Sequence, residues 1–285
     1  MLVNGGDCTI VIKTSHFEKD IPFSDETLRE AISILQEEAP IEGDGICKGI
    51  PTVSGITGCV VTPLTIGTAP LLLYVAMGSA SAPLYVTETR NMFQYRLDLL
   101  PMPDTEHFYL IQDRKNERHV FDYCRVLGFE LRILRDEAIK LKLDICGELS
   151  DTVEVSDTVR ENGERFSGNC VTYKINGKEY TNIYGVTIIS KKISGTKTEI
   201  WIKRALQQGT DLPLIIDELI ISAQLLRDNY EYRHFGMFRI TLKKLVLISD
   251  ETEVNASGAV ISPRRFYVSG GVQAEVFTSG EEIIP

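Results

Sequence analysis

The chain reads as α+β and mainly β: two tandem units, each an antiparallel sheet or small β-barrel or sandwich flanked by one helix. Three observations point there. One β-hairpin pattern occurs twice, at 120–146 (VFDYCRVLGFELRILRDEAIKLKLDIC) and at 179–204 (EYTNIYGVTIISKKISGTKTEIWIKR). After the polar turns Arg135-Asp136-Glu137 and Ser194-Gly195-Thr196, each copy returns in alternation, with Ile139, Leu141, Leu143 and Ile145 in the first and Ile200 and Ile202 in the second. Side chains change face at every residue of a strand, so each returning strand has one apolar and one charged face. Each half also holds one apolar stretch with helical signals.

Taken in order, residues 8–14 (CTIVIKT) predict a short strand. Ser24 stands as the cap of a helix over 24–38, with Asp25 and Glu26 in its first turn and Pro40 beyond its end. Residues 45–67, rich in Gly, Pro, Thr and Val, predict a long loop or irregular hairpin. In TAPLLLYVAMGSA, Thr68 at the N-cap, Pro70 in the first turn and Gly78 as the stop predict a short apolar helix. Strands follow at 92–101, at 107–113 and in the first hairpin. Asn176-Gly177 between alternating segments marks a tight turn. After the second hairpin, 212–230 predicts a longer helix from apolar positions 215, 216, 219, 220, 223 and 226. Strands at 237–248 and 264–278 close the chain.

With 285 residues the chain buries a full core in one large or two modest domains. The division expected is a first unit over 1–150, an acidic linker over 151–164 and a second unit over 165–285. The net charge of −10 is concentrated: 1–50 holds ten acids against four bases, and 148–164 holds six against one. No run of 18 apolar residues indicates a membrane span, and the first 20 residues lack the basic start and long apolar stretch of a secretory signal. The six cysteines lie far apart with no C-x-x-C, so Cys124 and Cys146 read as small buried hydrophobes and folding is expected in a reducing cytoplasm.

Signs of catalysis are scarce. GDGICKGI (43–50) has the wrong spacing for a phosphate loop, and no nucleophile elbow surrounds Ser54 or Ser269. His107 and His119 are candidates to approach across a hairpin. Asp217-Glu218, Lys243-Lys244 and Arg264-Arg265 read as solvated positions. Trp201 alternates with Ile200 and Ile202, so it faces away from their core. No cofactor, no metal and no enzymatic activity is expected.

The segments PLLLYVAMGSA (70–80), FQYRLDLLP (93–101), HFYLIQDR (107–114) and FDYCRVLGFELRILRDEAIKLKLDICGE (121–148) together resemble the tail tube (major tail) proteins of long-tailed bacteriophages. The resemblance covers 66–148, and the second hairpin extends it to a two-domain duplicated form; the stretch at 24–38 departs from it. It implies a structural virion protein that self-assembles into stacked trimeric or hexameric rings. They would form the tube that delivers DNA, in contact with other tail proteins. It also implies passive contact with DNA without sequence recognition, no membrane, and localisation in the virion after assembly in the host cytoplasm. On that basis Trp201, Phe129 and Tyr184 are candidate subunit-interface residues, and Glu130, Arg132, Lys140, Lys142 and Asp144 candidate lumen-facing residues. The alternatives are another ring-forming tail component, a terminator or distal tail protein, or an α+β ligand-binding or enzymatic protein.

Overall fold

The computed structural model describes residues 8–14, 18–36, 49–79, 84–86, 92–100, 107–114, 117–150, 163–192, 195–205, 212–225, 236–251, 253–254 and 260–279. The first half contributes β1 (Cys8–Lys13), β2 (Glu18–Asp20), β3 (Asp25–Glu26), β4 (Arg29–Gln36), β5 (Gly49–Pro63) and α1 (Ala69–Met77). It continues with β6 (Leu84–Val86), β7 (Met92–Asp98), β8 (Phe108–Arg114), β9 (Glu117–Leu134) and β10 (Lys140–Leu149). The second half holds β11 (Val171–Ile175), β12 (Lys178–Glu179), β13 (Ile183–Lys191), β14 (Lys197–Ala205) and β15 (Ile215–Leu225). It ends with β16 (Gly236–Asp250), β17 (Glu253–Val254), β18 (Val260–Val268) and β19 (Val272–Ser279).

All pairings are antiparallel and join one sheet, so the mainly-β class holds. Its spine runs β5–β10–β9–β13–β14–β18–β16–β15–β11. The long strands β9 and β16 each change partner along one edge. β9 passes from β8 to β13, and β16 passes from β19 to β18. The spine bends back on itself. Ile139 N–H donates to Phe166 O at 2.8 Å and Gly168 N–H to Glu137 O at 2.9 Å, so the residues just before β11 reach the β9–β10 turn.

The two hairpins lie side by side. β9 and β13 pair from Gly185↔Leu134 to Lys191↔Gly128, with β10 and β14 outside them. A local two-fold axis near Leu131↔Ile188 therefore relates β9 to β13 and β10 to β14. Two ladders, β9–β13 and β7–β19, join the expected first and second units. One hydrophobic cluster likewise draws on both units. Most of the 151–164 segment lies outside the described residues.

The helix over 69–77 is as expected, with Thr68 at its N-terminal cap position and Gly78 at φ 99° closing it. Every one of its residues is buried, and it packs against β7, β9 and β19. The helix expected over 24–38 is instead β3 and β4, with 37–38 outside the described residues. A 15-residue partner strand, β5, provides a ladder that outweighs the local cap signals. Of the long loop or irregular hairpin expected over 45–67, residues 49–63 form that strand and 45–48 lie outside the described residues. The helix expected over 212–230 is the strand β15, with 226–230 outside the described residues.

The helical spacing of β15 has a physical origin. Ile216 and Leu219 are both buried, separated by Asp217 and Glu218; in β16, Leu242 and Leu245 are buried around exposed Lys243 and Lys244. Lys244 takes φ 53°, and Ser269 and Gly270 donate their N–H groups to Lys244 O and Lys243 O. The sheet turns a corner along this line, and the corner shifts the phase of each strand.

β10 reaches β5 only from Gly55 to Pro63, whereas β4 pairs with Gly49 to Thr57. Among the described residues the outer end of β4–β5 is thus a two-stranded ribbon, and β4 keeps one unpaired edge.

Candidate functional site

Alternation and register place most charged residues of the two hairpins on the sheet face opposite the core. Cross-strand neighbours there form rows. One row is Lys140, Arg132, Thr187, Trp201 and Arg265; the next is Lys142, Glu130, Ile189, Glu199 and Tyr267. Asp144, Gly128, Lys191 and Lys197 form the third. The five candidates Glu130, Arg132, Lys140, Lys142 and Asp144 are therefore brought together, with Trp201 three strands from Lys140 on the same face.

Phe129 belongs elsewhere. It lies in phase with Leu131 and Ile133 and is 5% exposed, so it packs the core of its own chain. Tyr184 is 47% exposed at the register shift that opens β13, where the Arg135 guanidinium lies 5.5 Å over its ring. It lines a cavity of about 130 Å³ with Arg135, Tyr173, Glu179 and Tyr180. Burial pushes the Tyr173 phenol well up, with Arg135 opposing.

Trp201 is half-buried, with the Arg265 guanidinium 5.3 Å over its ring, and its indole N–H has no acceptor among the described residues. Arg265 in turn grips Glu199 at 2.6 Å through NH2 and 2.8 Å through Nε. Lys142 pairs with Asp144 at 3.4 Å. Partial burial works against the Lys142 ammonium, but Asp144 and other negative neighbours outweigh it and hold its pKa above the ordinary value.

Seven cations (Lys140, Arg132, Arg265, Lys142, Lys191, Lys197 and Lys203) and three carboxylates (Glu130, Glu199 and Asp144) occupy this face. Its excess of four positive charges stands against −10 for the whole chain. Arg132, Lys191, Lys197 and Lys203 are exposed.

Three other basic groups are buried. Lys192 and Arg204 are buried at 0% and 1% exposure, in phase with Ser190 and Ile202. Arg264 is also buried. Its Nε and NH2 meet Asp250 at 2.9 and 2.7 Å, and NH1 donates to Leu212 O at 2.5 Å. Asp217 and Glu218 sit on a strand at the sheet corner, where their N–H groups both donate to Asn176 Oδ1 at 3.0 Å.

His107 is held by Arg125, with nitrogen pairs at 3.0 Å, and by the edge of Tyr123, while His119 stacks on Phe121. The hairpin register puts His119 opposite Gln112, away from His107. Cys124 is fully buried as expected, and burial pushes its thiol up to about 12. Among the described residues no group of three or more His, Cys, Asp or Glu is placed to hold a metal ion, and no helix is long and apolar enough to cross a membrane.

The arrangement offers a broad, charged, Trp-centred sheet face and an unpaired strand edge. Such a surface suits contact with a large partner. No protein-family model matches this chain, and no curated protein matches it.

Proposed function

We propose that this chain is a structural subunit that self-assembles into stacked rings, as the tail tube proteins it resembles do, and forms a conduit for DNA in a phage virion. The observation that carries this reading is the pair of two-fold-related hairpins in one antiparallel sheet. Long, regular strands ending in an unpaired edge, β4, suit addition of a neighbour's strand. The projecting β4–β5 ribbon adds a second element with little support of its own, since isolated two-stranded ribbons are marginal in water. Two-unit chains would close rings of three and single-unit chains rings of six.

Negative-stain electron microscopy across protein concentrations, paired with light-scattering mass, tests the proposal. Rings or tubes of uniform width are expected, and a strictly monomeric particle at every concentration overturns it. Rings that never stack assign the chain to a terminator or distal tail role.

A further inference from the structure

The basic sheet face around Trp201 is more than a solvated surface. Its four exposed cations, Arg132, Lys191, Lys197 and Lys203, have no carboxylate within ion-pair distance among the described residues. The three carboxylates on the face do not neutralise it; Glu199 and Asp144 are already engaged by Arg265 and Lys142. The indole N–H of Trp201, buried beneath this field, has no acceptor among the described residues.

An opposite surface exists on the same molecule. The β3–β4 edge exposes Asp25 and Glu30, with Glu26 half-buried between them, and Arg29 is its one exposed cation among the described residues. Asp25 stands in the row Asp25–Val61–Lys142–Glu130, so acidic edge and basic face lie on one continuous sheet, with the four exposed cations three to five strands from β3. Across that span the acidic edge and the exposed cations do not pair within one copy. Head-to-tail contact between copies would bring them together, the contact type that closes rings.

We infer that the Trp201-centred basic face receives the acidic β3–β4 edge of a second copy of this chain, and so is a contact between subunits and not the lining of the lumen. The inference rests on the assembly reading above. It also fits a DNA conduit, because exposed lysines and arginines beside an aromatic ring retain nucleic acid and do not pass it along.

Light-scattering mass of the full chain, with paired charge reversals, tests the contact. Assembly should weaken as salt rises from about 0.1 to about 1 M, where the screening length falls from about 10 to about 3 Å. Arg132→Glu with Lys203→Glu should raise the concentration needed for assembly at least about tenfold. Asp25→Lys with Glu30→Lys should do the same, and all four changes in one chain should restore it. That restoration also rules out misfolding as the cause of either loss.

Rings that form unchanged in the Arg132→Glu/Lys203→Glu chain overturn the inference and leave the assembly reading standing. Absence of any oligomer in the unmodified protein sinks both. A fluorescence-anisotropy titration with duplex DNA covers the rival occupant. Tight binding by the unmodified protein, lost in the Arg132→Glu/Lys203→Glu chain while rings persist, assigns the face to DNA.

Discussion

The ammonium of Lys192 donates to the carbonyl of Met77 at 3.4 Å, tying the second hairpin to the C-terminal end of the buried helix. Leu100 N–H donates to the same oxygen at 2.9 Å. A cation at a helix C-terminus is favourable, but this one has left water entirely. Burial pushes its pKa from 10.5 down to about 8.

The sign of the pH effect follows. Below pH 8 both folded and unfolded chains carry the charge, and the burial cost is present in full; above 10.5 both are neutral and it is gone. Stability contributed by this site therefore rises from pH 8 to 10.5. Lys192→Met should remove that slope and stabilise the protein near neutral pH by about 1–3 kcal/mol. Urea midpoints at both pH values measure it, and equal slopes in the two proteins count against the argument.

The sheet corner depends on residues without side chains. A Cβ at Gly270 would lie 2.7 Å from Lys243 O, and Gly271 takes φ 97°. Gly270→Ala forces backbone to move, and Gly271→Val adds a β-branched residue in a left-handed conformation. Each should cost about 1–3 kcal/mol. Thermal melts would show whether the corner tolerates either change.

Asn176 and Gly177, at φ 49° and 79°, form the left-handed pair of a tight hairpin turn. Asn176 does more than turn the chain, because its Oδ1 accepts from both Asp217 and Glu218 at the corner of β15. Asn176→Asp keeps the acceptor and should be mild, while Asn176→Ala should cost about 1–3 kcal/mol. Equal destabilisation by the two would mean that the turn alone matters.

Local signals proved legible and long-range ones did not. The cap residues Thr68 and Gly78 specify α1 within a dozen positions, and Asn176-Gly177 specifies its turn within two. Alternation likewise placed Glu130, Arg132, Lys140, Lys142, Asp144 and Trp201 on one face. Residues 24–38 carry equally good helix signals, yet β5 supplies a ladder that no local window contains. In β15 the corner at Asp217 turned a period of two into an i, i+3 spacing that imitates a helix.

At Lys192 and Arg204 charge and phase conflict. Their phase already matched buried neighbours, Val186, Ile188 and Ser190 for one, Thr198, Ile200 and Ile202 for the other. Charge suggested solvent, while period two correctly implied the core. Tyr184 escaped both signals, because the register shift between Ile183 and Gly185 moves it off the alternation altogether.

The acid side of the stability curve should be governed in part by Asp250. A hydrogen bond from Arg264 is the largest influence holding its carboxyl below the ordinary value, with Ser262 assisting and desolvation opposing. Because the folded pKa lies below the unfolded one, this contribution is present above the ordinary value of 3.8 and is lost as pH falls through the folded one. Asp250→Asn should therefore destabilise the protein at neutral pH, and the difference from the unmodified chain should shrink as pH falls below 3.8. Arg264 makes the effect larger than for a surface pair, since the carboxylate removed is one that meets a buried guanidinium at 2.7 Å. Denaturation midpoints for both chains at neutral and acidic pH decide the matter. A difference that stays constant across that range would assign the role of Asp250 to packing, not charge.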